Sequence, residues 1–280
     1  MRRLVALSMA LAAMLAACGG DDAPSPTATP APSETAMAPT PTLTPFPTFT
    51  PTPEVTASQP IVVGGDVRLR AEPNTRSEVV GELPDHAPLR LHQAVRGENW
   101  LVGSQTWVST SPEWASTWYE LDDGSYIYAA FVFWLQPGEV SPLLDPGGAE
   151  KWIDVNVTTQ TARAMVGDQA VYTAPVSSGS PQFPSPLGSH RIEKGGRLAV
   201  ERMTAAQAGY TAQQATYDVE RVLFTQYYDL NGNALHLNYW RPASVFGRQA
   251  TSHGCIGMQL HDAQYFWLFG EEGMRVEIHA

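Results

Sequence analysis

A proline-rich segment restricts where this chain can fold. Residues 24–60 hold 11 of the 23 prolines of the 280-residue chain, together with 10 threonines, and they show no hydrophobic periodicity. Such a composition cannot bury a core and favours extended polyproline II conformations. We therefore predict a disordered linker over residues 18–60 and folded structure only after it.

The N-terminus has the pattern of an export signal. Arg2 and Arg3 precede an apolar run at residues 4–15, which is too short for a permanent membrane-spanning helix. The run ends in Leu-Ala-Ala-Cys at Cys18, and this string resembles a bacterial lipobox. The resemblance implies removal of signal peptide 1–17 and acylation of Cys18, so that lipid anchors the exported protein to the outer face of the cell membrane, facing the cell wall. The alternative is an ordinary secretory signal with an incidental cysteine.

Charge and cysteine content exclude two classes of protein. With 17 Lys+Arg against 28 Asp+Glu, the formal net charge is -11, so the chain offers no basic surface to a nucleic acid. Cys18 and Cys255 are the only cysteines, which excludes a disulfide framework. If Cys18 is acylated, Cys255 is the one free thiol. The sequence does not fix the oligomeric state.

The fold class is predicted to be mainly β, beginning with a small N-terminal unit. In residues 61–136, short alternating segments are separated by turn signals every 8–12 residues, and one further strand is predicted over residues 99–109. With Trp100 and Trp107, the segment resembles a bacterial SH3-like domain. That resemblance implies a small β-barrel of a class that usually binds cell-wall peptides.

A second β-rich unit is predicted over residues 150–280. It follows residues 137–148, a stretch with three prolines and three glycines that we interpret as a boundary. Asn231-Gly232 between two apolar runs predicts a hairpin. One or two helices are expected, over residues 262–269 and over residues 203–214, the latter capped by Thr204.

One short motif in the second unit carries the chemistry. Ser252-His253-Gly254-Cys255 follows His236 after 15 residues. An unpaired thiol in an exported protein risks oxidation, so its presence calls for a function. A cysteine nucleophile, an imidazole that moves protons and backbone amides that bind an oxyanion are the parts of an acyl-transfer site.

This spacing resembles the L,D-transpeptidase family, with its YkuD-like fold, over residues 151–279. The resemblance implies that Cys255 is the nucleophile, that His236 is the general base and acid, and that His253 shapes the oxyanion pocket. A backbone carbonyl usually orients the histidine in this family. No metal and no cofactor are implied. The neighbouring residues expected at the substrate or oxyanion are Ser252, Gly254, Tyr239 and Trp240.

The implied partners are peptidoglycan stem peptides. The thiolate would attack the L,D-amide at the third residue of a tetrapeptide stem and expel D-Ala, and an amine of another stem would resolve the thioester into a 3→3 cross-link. Carbapenems, which acylate the cysteine of this family, should label Cys255. A coupled thiolate–imidazolium pair of Cys255 and His236 would also make the thiol open to alkylation well below pH 8.

The sequence departs from the family pattern at three places. Leu237 stands where glycine is common, Gly257 where asparagine or arginine is usual, and Gln249-Ala250 where proline is common. The change at Gly257 removes a side chain that would help bind a donor carboxylate.

Four alternatives remain open at the level of the sequence. Water as the acceptor would give an L,D-carboxypeptidase with the same site. His253 and Cys255, with His236 or His261, would be a zinc site. In the third alternative, Cys255 is an inert thiol of the hydrophobic core. In the fourth, the chain is a non-catalytic lipoprotein that binds the cell wall through its N-terminal unit.

Overall fold

The computed structural model describes residues 58–102, 105, 107–108 and 111–280. The predicted signal peptide, the lipobox at Cys18 and most of the predicted linker lie outside these residues. The last part of that linker is folded: the Ser58 hydroxyl accepts a hydrogen bond from the Leu135 amide at 2.6 Å, and the Pro60 carbonyl accepts one from the Leu89 amide at 2.7 Å. The predicted linker boundary at residue 60 is therefore too late. Within the described ranges, no helix has the length and apolarity needed to cross a membrane.

The N-terminal unit, residues 58–136, is built from short strands. They are β1 (Ile61–Val62), β2 (Val67–Arg70), β3 (Val79–Leu83), β4 (Leu91–Arg96), β5 (Thr117–Leu121), β6 (Tyr126–Tyr128) and β7 (Val132–Phe133). Strands β2 to β6 form an antiparallel sheet in the order β3-β2-β6-β5-β4, and β1 pairs with β7. A hairpin that turns at Asp123-Gly124 joins β5 to β6.

The strand predicted over residues 99–109 is not formed in the described part of that segment. The Asn99 side chain accepts a hydrogen bond from the Val102 amide at 3.2 Å, and the Gln105 amide donates to the Val102 carbonyl at 2.9 Å. Such side-chain-to-backbone bonds favour turns over extended structure. The described residues of this segment, which include Trp100 and Trp107, therefore lie in turns or irregular backbone.

The C-terminal unit, residues 150–280, is one sheet with one helix in the described chain. Its elements are β8 (Lys151–Asn156), β9 (Thr161–Val166), β10 (Gln169–Ser177), β11 (Gly188–Arg191), β12 (Arg197–Thr204), β13 (Asp218–Tyr227), β14 (Ala234–Leu237), β15 (Ile256–Met258), α1 (Leu260–Phe269) and β16 (Arg275–His279). The strand order is β11-β16-β8-β9-β10-β15-β14-β13-β12. The mainly β fold class is confirmed, and so is the hairpin at Asn231-Gly232, which joins β13 to β14.

The second helix, predicted over residues 203–214, is wrong. Met203 and Thr204 instead end strand β12, where they pair with Val219 and Asp218 of β13. Beyond Thr204 the chain forms turns, and Gly209 adopts a φ of +77°, which ends any helical run. Long-range strand pairing thus overrides a local helix signal.

A continuous hydrophobic core joins the two units. Phe131 of the N-terminal unit lies 6.3 Å, centroid to centroid, from Phe224 on β13. Gly64 allows this contact, since a Cβ at that position would lie 3.1 Å from both rings. On the other side, Gln264 of α1 donates hydrogen bonds to the carbonyls of Ala130 at 2.8 Å and Val132 at 3.0 Å. We infer that the units unfold together.

We expect Phe224→Ala to lower the free energy of unfolding by about 3–5 kcal/mol, the usual cost of truncating a buried phenylalanine. The side chain is 1% exposed and contacts the rings of Phe131 and Trp267. Because one core spans both units, calorimetry of the protein should show a single transition that moves as a whole. The control is Leu230→Ala, a change at a side chain that is 93% exposed and that should alter stability by less than about 0.5 kcal/mol. Two transitions, of which only one shifts, would contradict a shared core.

Candidate active site

The parallel pairing of β14 with β15 places the predicted catalytic residues on one face. His236 lies opposite Gly257 in this pair, and the Asn238 amide continues the pairing by donating to the Met258 carbonyl at 2.8 Å. Side chains alternate between the faces of a sheet, and residues opposite each other share a face. Cys255, two residues before Gly257, therefore reaches the same face as His236 and Asn238.

That face forms the wall of a cavity of about 510 Å³. Five of the seven site residues predicted from the sequence line this cavity, namely Cys255, His236, His253, Ser252 and Trp240. Asn238 also lines it, although no sequence motif points to this residue. Two predicted residues, Tyr239 and Gly254, lie outside the wall.

The prediction of Tyr239 as a substrate-binding residue is wrong. Its side chain is 2% exposed and is not part of the cavity wall. The Tyr239 hydroxyl donates to the Glu220 carbonyl at 2.7 Å and accepts from the Gln105 side chain at 2.6 Å. Tyr239 thus connects the C-terminal unit to the Gln105 turn of the N-terminal unit.

Gly254 shapes the loop that carries the thiol. Its φ is +112°, and a Cβ at this position would lie 2.1 Å from the Asn233 side-chain oxygen, so only glycine fits. The Gly254 carbonyl accepts hydrogen bonds from the Ser185 hydroxyl at 2.7 Å and the Tyr228 hydroxyl at 3.1 Å. Its amide donates to Ser252 Oγ at 3.1 Å. Because the Gly254 amide makes this bond, the neighbouring amides of His253 and Cys255 are the candidate oxyanion donors.

Ser252 positions the nucleophile through its own hydroxyl. Ser252 Oγ donates to the Cys255 carbonyl at 2.6 Å and so closes the turn around the thiol. The backbone of Ser252 is fixed by β-type bonds, because its amide donates to the Ser178 carbonyl at 3.1 Å and its carbonyl accepts from the Ser180 amide at 2.9 Å. The loop is therefore anchored on the chain that follows β10.

His236 is oriented by a backbone carbonyl. His236 Nδ1 lies 2.8 Å from the Leu237 carbonyl oxygen, so a proton on Nδ1 donates to that oxygen and Nε2 is left as an acceptor. The ring stacks on Trp240, with centroids 5.6 Å apart and planes 18° from parallel. Burial lowers the pKa of His236 to about 4, although the Leu237 carbonyl opposes the shift. The imidazole is consequently neutral at neutral pH.

The Cys255 thiol lies between backbone groups of the β13–β14 hairpin. Cys255 Sγ is 3.8 Å from the Gly232 carbonyl, to which the thiol donates. Burial raises the pKa of Cys255 to about 11, while the Ala234 amide, which donates to the sulfur, opposes this shift. The half-buried thiol is thus protonated in the substrate-free protein, and the residue lines the cavity while it also packs against the hydrophobic core.

His253 is held in a cluster of aromatic rings. Its ring centroid lies 4.4 Å from that of Phe183, 4.9 Å from Tyr217 and 6.2 Å from Tyr210. Burial, assisted by the nearby Arg241 charge, lowers the pKa of His253. The cluster fixes the direction of the loop before Cys255, which fits the predicted orienting role of this histidine.

Two further residues support the site and were not chosen from the sequence. The Asp229 carboxylate accepts hydrogen bonds from the amides of Asn231 at 3.0 Å and Asn233 at 2.9 Å, and it thereby fixes the turn whose Gly232 carbonyl faces the thiol. Ser185 holds Gly254, as described above. Asp-x-Asn-Gly identifies the turn in the sequence, but its closeness to Cys255 depends on strand pairing.

The zinc alternative lacks a ligand set. His261 lies outside the cavity, where its Nε2 is 2.9 Å from both carboxylate oxygens of Glu139 and its ring stacks on Phe133 at 5.2 Å. Across the part of the chain that the structure describes, no three His, Cys, Asp or Glu side chains are placed to share a metal ion.

The pH dependence of thiol alkylation should differ from the expectation based on the sequence. The sequence predicts that Cys255 is alkylated well below pH 8. In the structure, however, burial disfavours the charged forms of both Cys255 and His236. We expect the rate of Cys255 modification by iodoacetamide in the Cys18→Ala protein to rise up to about pH 11. At pH 8 it should be roughly 100-fold below the rate in the urea-unfolded chain, whose thiol pKa is about 8.5. His236→Ala should not slow it at neutral pH. If the alkylation rate of the wild type instead shows an inflection below pH 8, and this inflection disappears in His236→Ala, the thiolate–imidazolium pair predicted from the sequence is correct.

Comparison with known proteins identifies the domain around the cavity. Residues 150–278 match the family model of the YkuD L,D-transpeptidase catalytic domain, which confirms the predicted catalytic domain for this part of the chain. No curated protein matches the chain.

Similar solved structures are also L,D-transpeptidases. L,D-transpeptidase 3 from Mycobacterium tuberculosis, in complex with a faropenem-derived adduct, is 19% identical over 48% of this chain and 61% of that chain, with a TM-score of 0.42. An enzyme from Mycobacterium smegmatis is 17% identical over 82% of this chain and 100% of that chain, with a TM-score of 0.43. The catalytic domain of an L,D-transpeptidase from E. faecium is 20% identical over 46% of this chain and 97% of that chain, with a TM-score of 0.39. The match spans about six tenths of the M. tuberculosis chain.

Proposed function

We propose that this protein is a peptidoglycan L,D-transpeptidase that forms 3→3 cross-links between stem peptides by cysteine acyl transfer. The observation that carries the proposal is the juxtaposition of Cys255 with His236 on one cavity wall. His236 has its Nδ1 held by the Leu237 carbonyl at 2.8 Å, and Nε2 is left free to accept a proton. The YkuD catalytic domain match over residues 150–278 supports this reaction class.

In the first half-reaction, Cys255 Sγ attacks the carbonyl carbon of the third residue of a tetrapeptide stem. His236 Nε2 takes the thiol proton as the C–S bond forms. The amides of His253 and Cys255 stabilise the oxyanion of the tetrahedral intermediate. The intermediate collapses, the C–N bond breaks, and His236 returns the proton to the leaving D-Ala amine, which leaves an acyl thioester on Cys255.

In the second half-reaction, a side-chain amine of another stem attacks the thioester. His236 accepts a proton from the amine and returns it to the sulfur as the C–S bond breaks. The new amide is the cross-link, and the thiol is regenerated. Water in place of the amine would give hydrolysis, so the acceptor decides between transpeptidase and carboxypeptidase.

Burial determines when charge appears in this cycle. The raised thiol pKa and the lowered imidazole pKa favour the neutral pair before substrate binds. Proton transfer is then coupled to C–S bond formation, and no stable thiolate exposed to oxidants is required. This accounts for a free thiol in an exported protein.

Mass spectrometry of muropeptides tests the reaction. Disaccharide-tetrapeptides incubated with the Cys18→Ala protein should give cross-linked dimers and free D-Ala. Cys255→Ala should abolish both products, and His236→Ala should lower turnover by roughly 100-fold or more, the usual scale for an acid–base group. His261→Ala, a change outside the cavity, should retain activity, and chelation should have no effect. Imipenem should add its mass to Cys255 in the wild type.

Three outcomes would replace the proposal. Tripeptides without dimers would identify a carboxypeptidase. Turnover lost on chelation and restored by zinc would indicate a metal site. Binding to sacculi without turnover or imipenem labelling would indicate a wall-binding lipoprotein, and would point to the N-terminal unit as its working part.

We also propose that lipid on Cys18 anchors the protein to the outer face of the cell membrane. The proposal is supported by the lipobox that ends at Cys18, after an apolar run with two preceding arginines. Cys18→Ala should move the protein from the membrane fraction to the soluble or secreted fraction, whereas Cys255→Ala should not. A Cys18→Ala protein that stays in the membrane fraction after a salt wash would refute the anchor.

A further inference from the structure

Asn238 has a polar atom that the fold does not use. Its side chain is 4% exposed and lines the cavity that contains Cys255 and His236. Its Oδ1 is the one buried side-chain nitrogen or oxygen without a hydrogen-bond partner among the residues that the structure describes. Buried acceptors are almost always paired, because an unpaired one has lost its water without compensation. Because the Asn238 side chain lines the cavity, its unpaired acceptor points to a ligand that pairs with it when the carboxamide rotates toward the cavity.

The space for this carboxamide comes from Gly257. A Cβ at position 257 would lie 2.8 Å from Asn238 Nδ2 and 3.0 Å from Asn238 Cβ, so any other residue there would displace the amide. Gly257 itself lies opposite His236 in the β14–β15 pair. The carboxamide therefore extends over the backbone of β15, on the same face as the imidazole.

The position along the strand indicates which part of a substrate Asn238 can reach. The thiol lies near Ala234 and Asn238 lies on the other side of His236, two residues further along the chain. Two residues of a strand span about 6–7 Å, which equals about two residues of an extended peptide. The scissile amide must lie beside His236 Nε2 to receive its proton, so a group bound by Asn238 is about two residues from that amide.

The chemistry of the side chain matches a peptide backbone. A carboxamide offers an acceptor oxygen and N–H donors, which are complementary to the N–H and carbonyl groups of a peptide. Rotation about χ2 exchanges the two atoms, and Oδ1 gives up no hydrogen bond in that rotation because it makes none. Asn238 can therefore present either atom to the bound chain.

We propose that Asn238 is a specificity-determining residue that hydrogen-bonds the backbone of the acyl-donor peptide within two residues of the bond that Cys255 attacks. The proposal rests on the proposed transpeptidase function. In the substrate-free protein the unpaired Oδ1 destabilises the fold, and the bound peptide supplies its missing partner. Asn238 is thus a residue kept for binding at the expense of stability.

The test replaces Asn238 with leucine, which has a similar volume and no polar side-chain atom. The probe is a disaccharide-tetrapeptide, and KM and kcat for release of D-Ala are measured. Asn238→Leu should raise KM at least tenfold, with kcat within threefold of the wild type and with a melting temperature no lower than that of the wild type. Asn238→Ala, which cannot clash with Gly257, should raise KM similarly. Gln136→Leu, which changes an exposed amide outside the cavity, should alter neither KM nor melting temperature.

A second ligand separates peptide binding from damage to the catalytic pair. Imipenem is too small to span two peptide residues beyond the thiol. The rate at which imipenem acylates Cys255 in Asn238→Leu should therefore be within threefold of the wild-type rate. A structural role for Asn238 would instead lower the melting temperature and slow imipenem and tetrapeptide together, and this result would overturn the inference. An unchanged KM in both variants would overturn it as well. If the wild type releases no D-Ala at all, the proposed function itself fails, and the inference fails with it.

Discussion

The arrangement of the proposed catalytic residues depends on the register of one short parallel strand pair, β14 with β15. His236 and Cys255 are distant in sequence, and they share a cavity wall only because His236 lies opposite Gly257. A slip of one residue would exchange the two faces of β14. Leu237, which is fully buried, would then face the cavity, and His236 would enter the core. The hydrophobic pattern of β14 therefore protects the catalytic register.

Several unfavourable local features occur together around this pair. His236 is buried in its neutral form, Gly254 has a backbone conformation that other residues rarely adopt, and Asn238 Oδ1 lacks a partner. Each feature opposes folding, and together they are typical of a functional site whose surroundings provide compensating stability. The compensation at Gly254 is visible, because Ser185 and Tyr228 both donate to its carbonyl.

The sequence predicted the parts of the structure that local patterns determine. The Asn231-Gly232 turn forms its hairpin, and helix α1 begins only two residues before its predicted start. Five of seven predicted site residues line the cavity, because the spacing of His236 and the Ser252–Cys255 motif already encodes chemistry.

Predictions were wrong where contacts between residues far apart in the sequence determine the local structure. Strand pairing with β13 turned the helix expected after Met203 into an extension of β12. Tyr239 faces the Gln105 turn, a contact across the two units that no local pattern contains. Gly257, a departure from the family pattern in the sequence, is explained by the side chain of Asn238, which occupies the space that a Cβ would need.

The contacts across the two units show that the N-terminal unit contributes to the catalytic wall. Trp107 lines the cavity and lies 6.2 Å from Trp240, and Trp240 stacks on His236. Strand β13 adopts left-handed φ values at Arg221 and Phe224, the residues that contact Trp100 and Phe131. Left-handed conformations of large residues are costly and persist only where surrounding contacts impose them. The N-terminal unit therefore contributes directly to the cavity, because its Trp107 supports the ring of Trp240, on which the imidazole of His236 stacks.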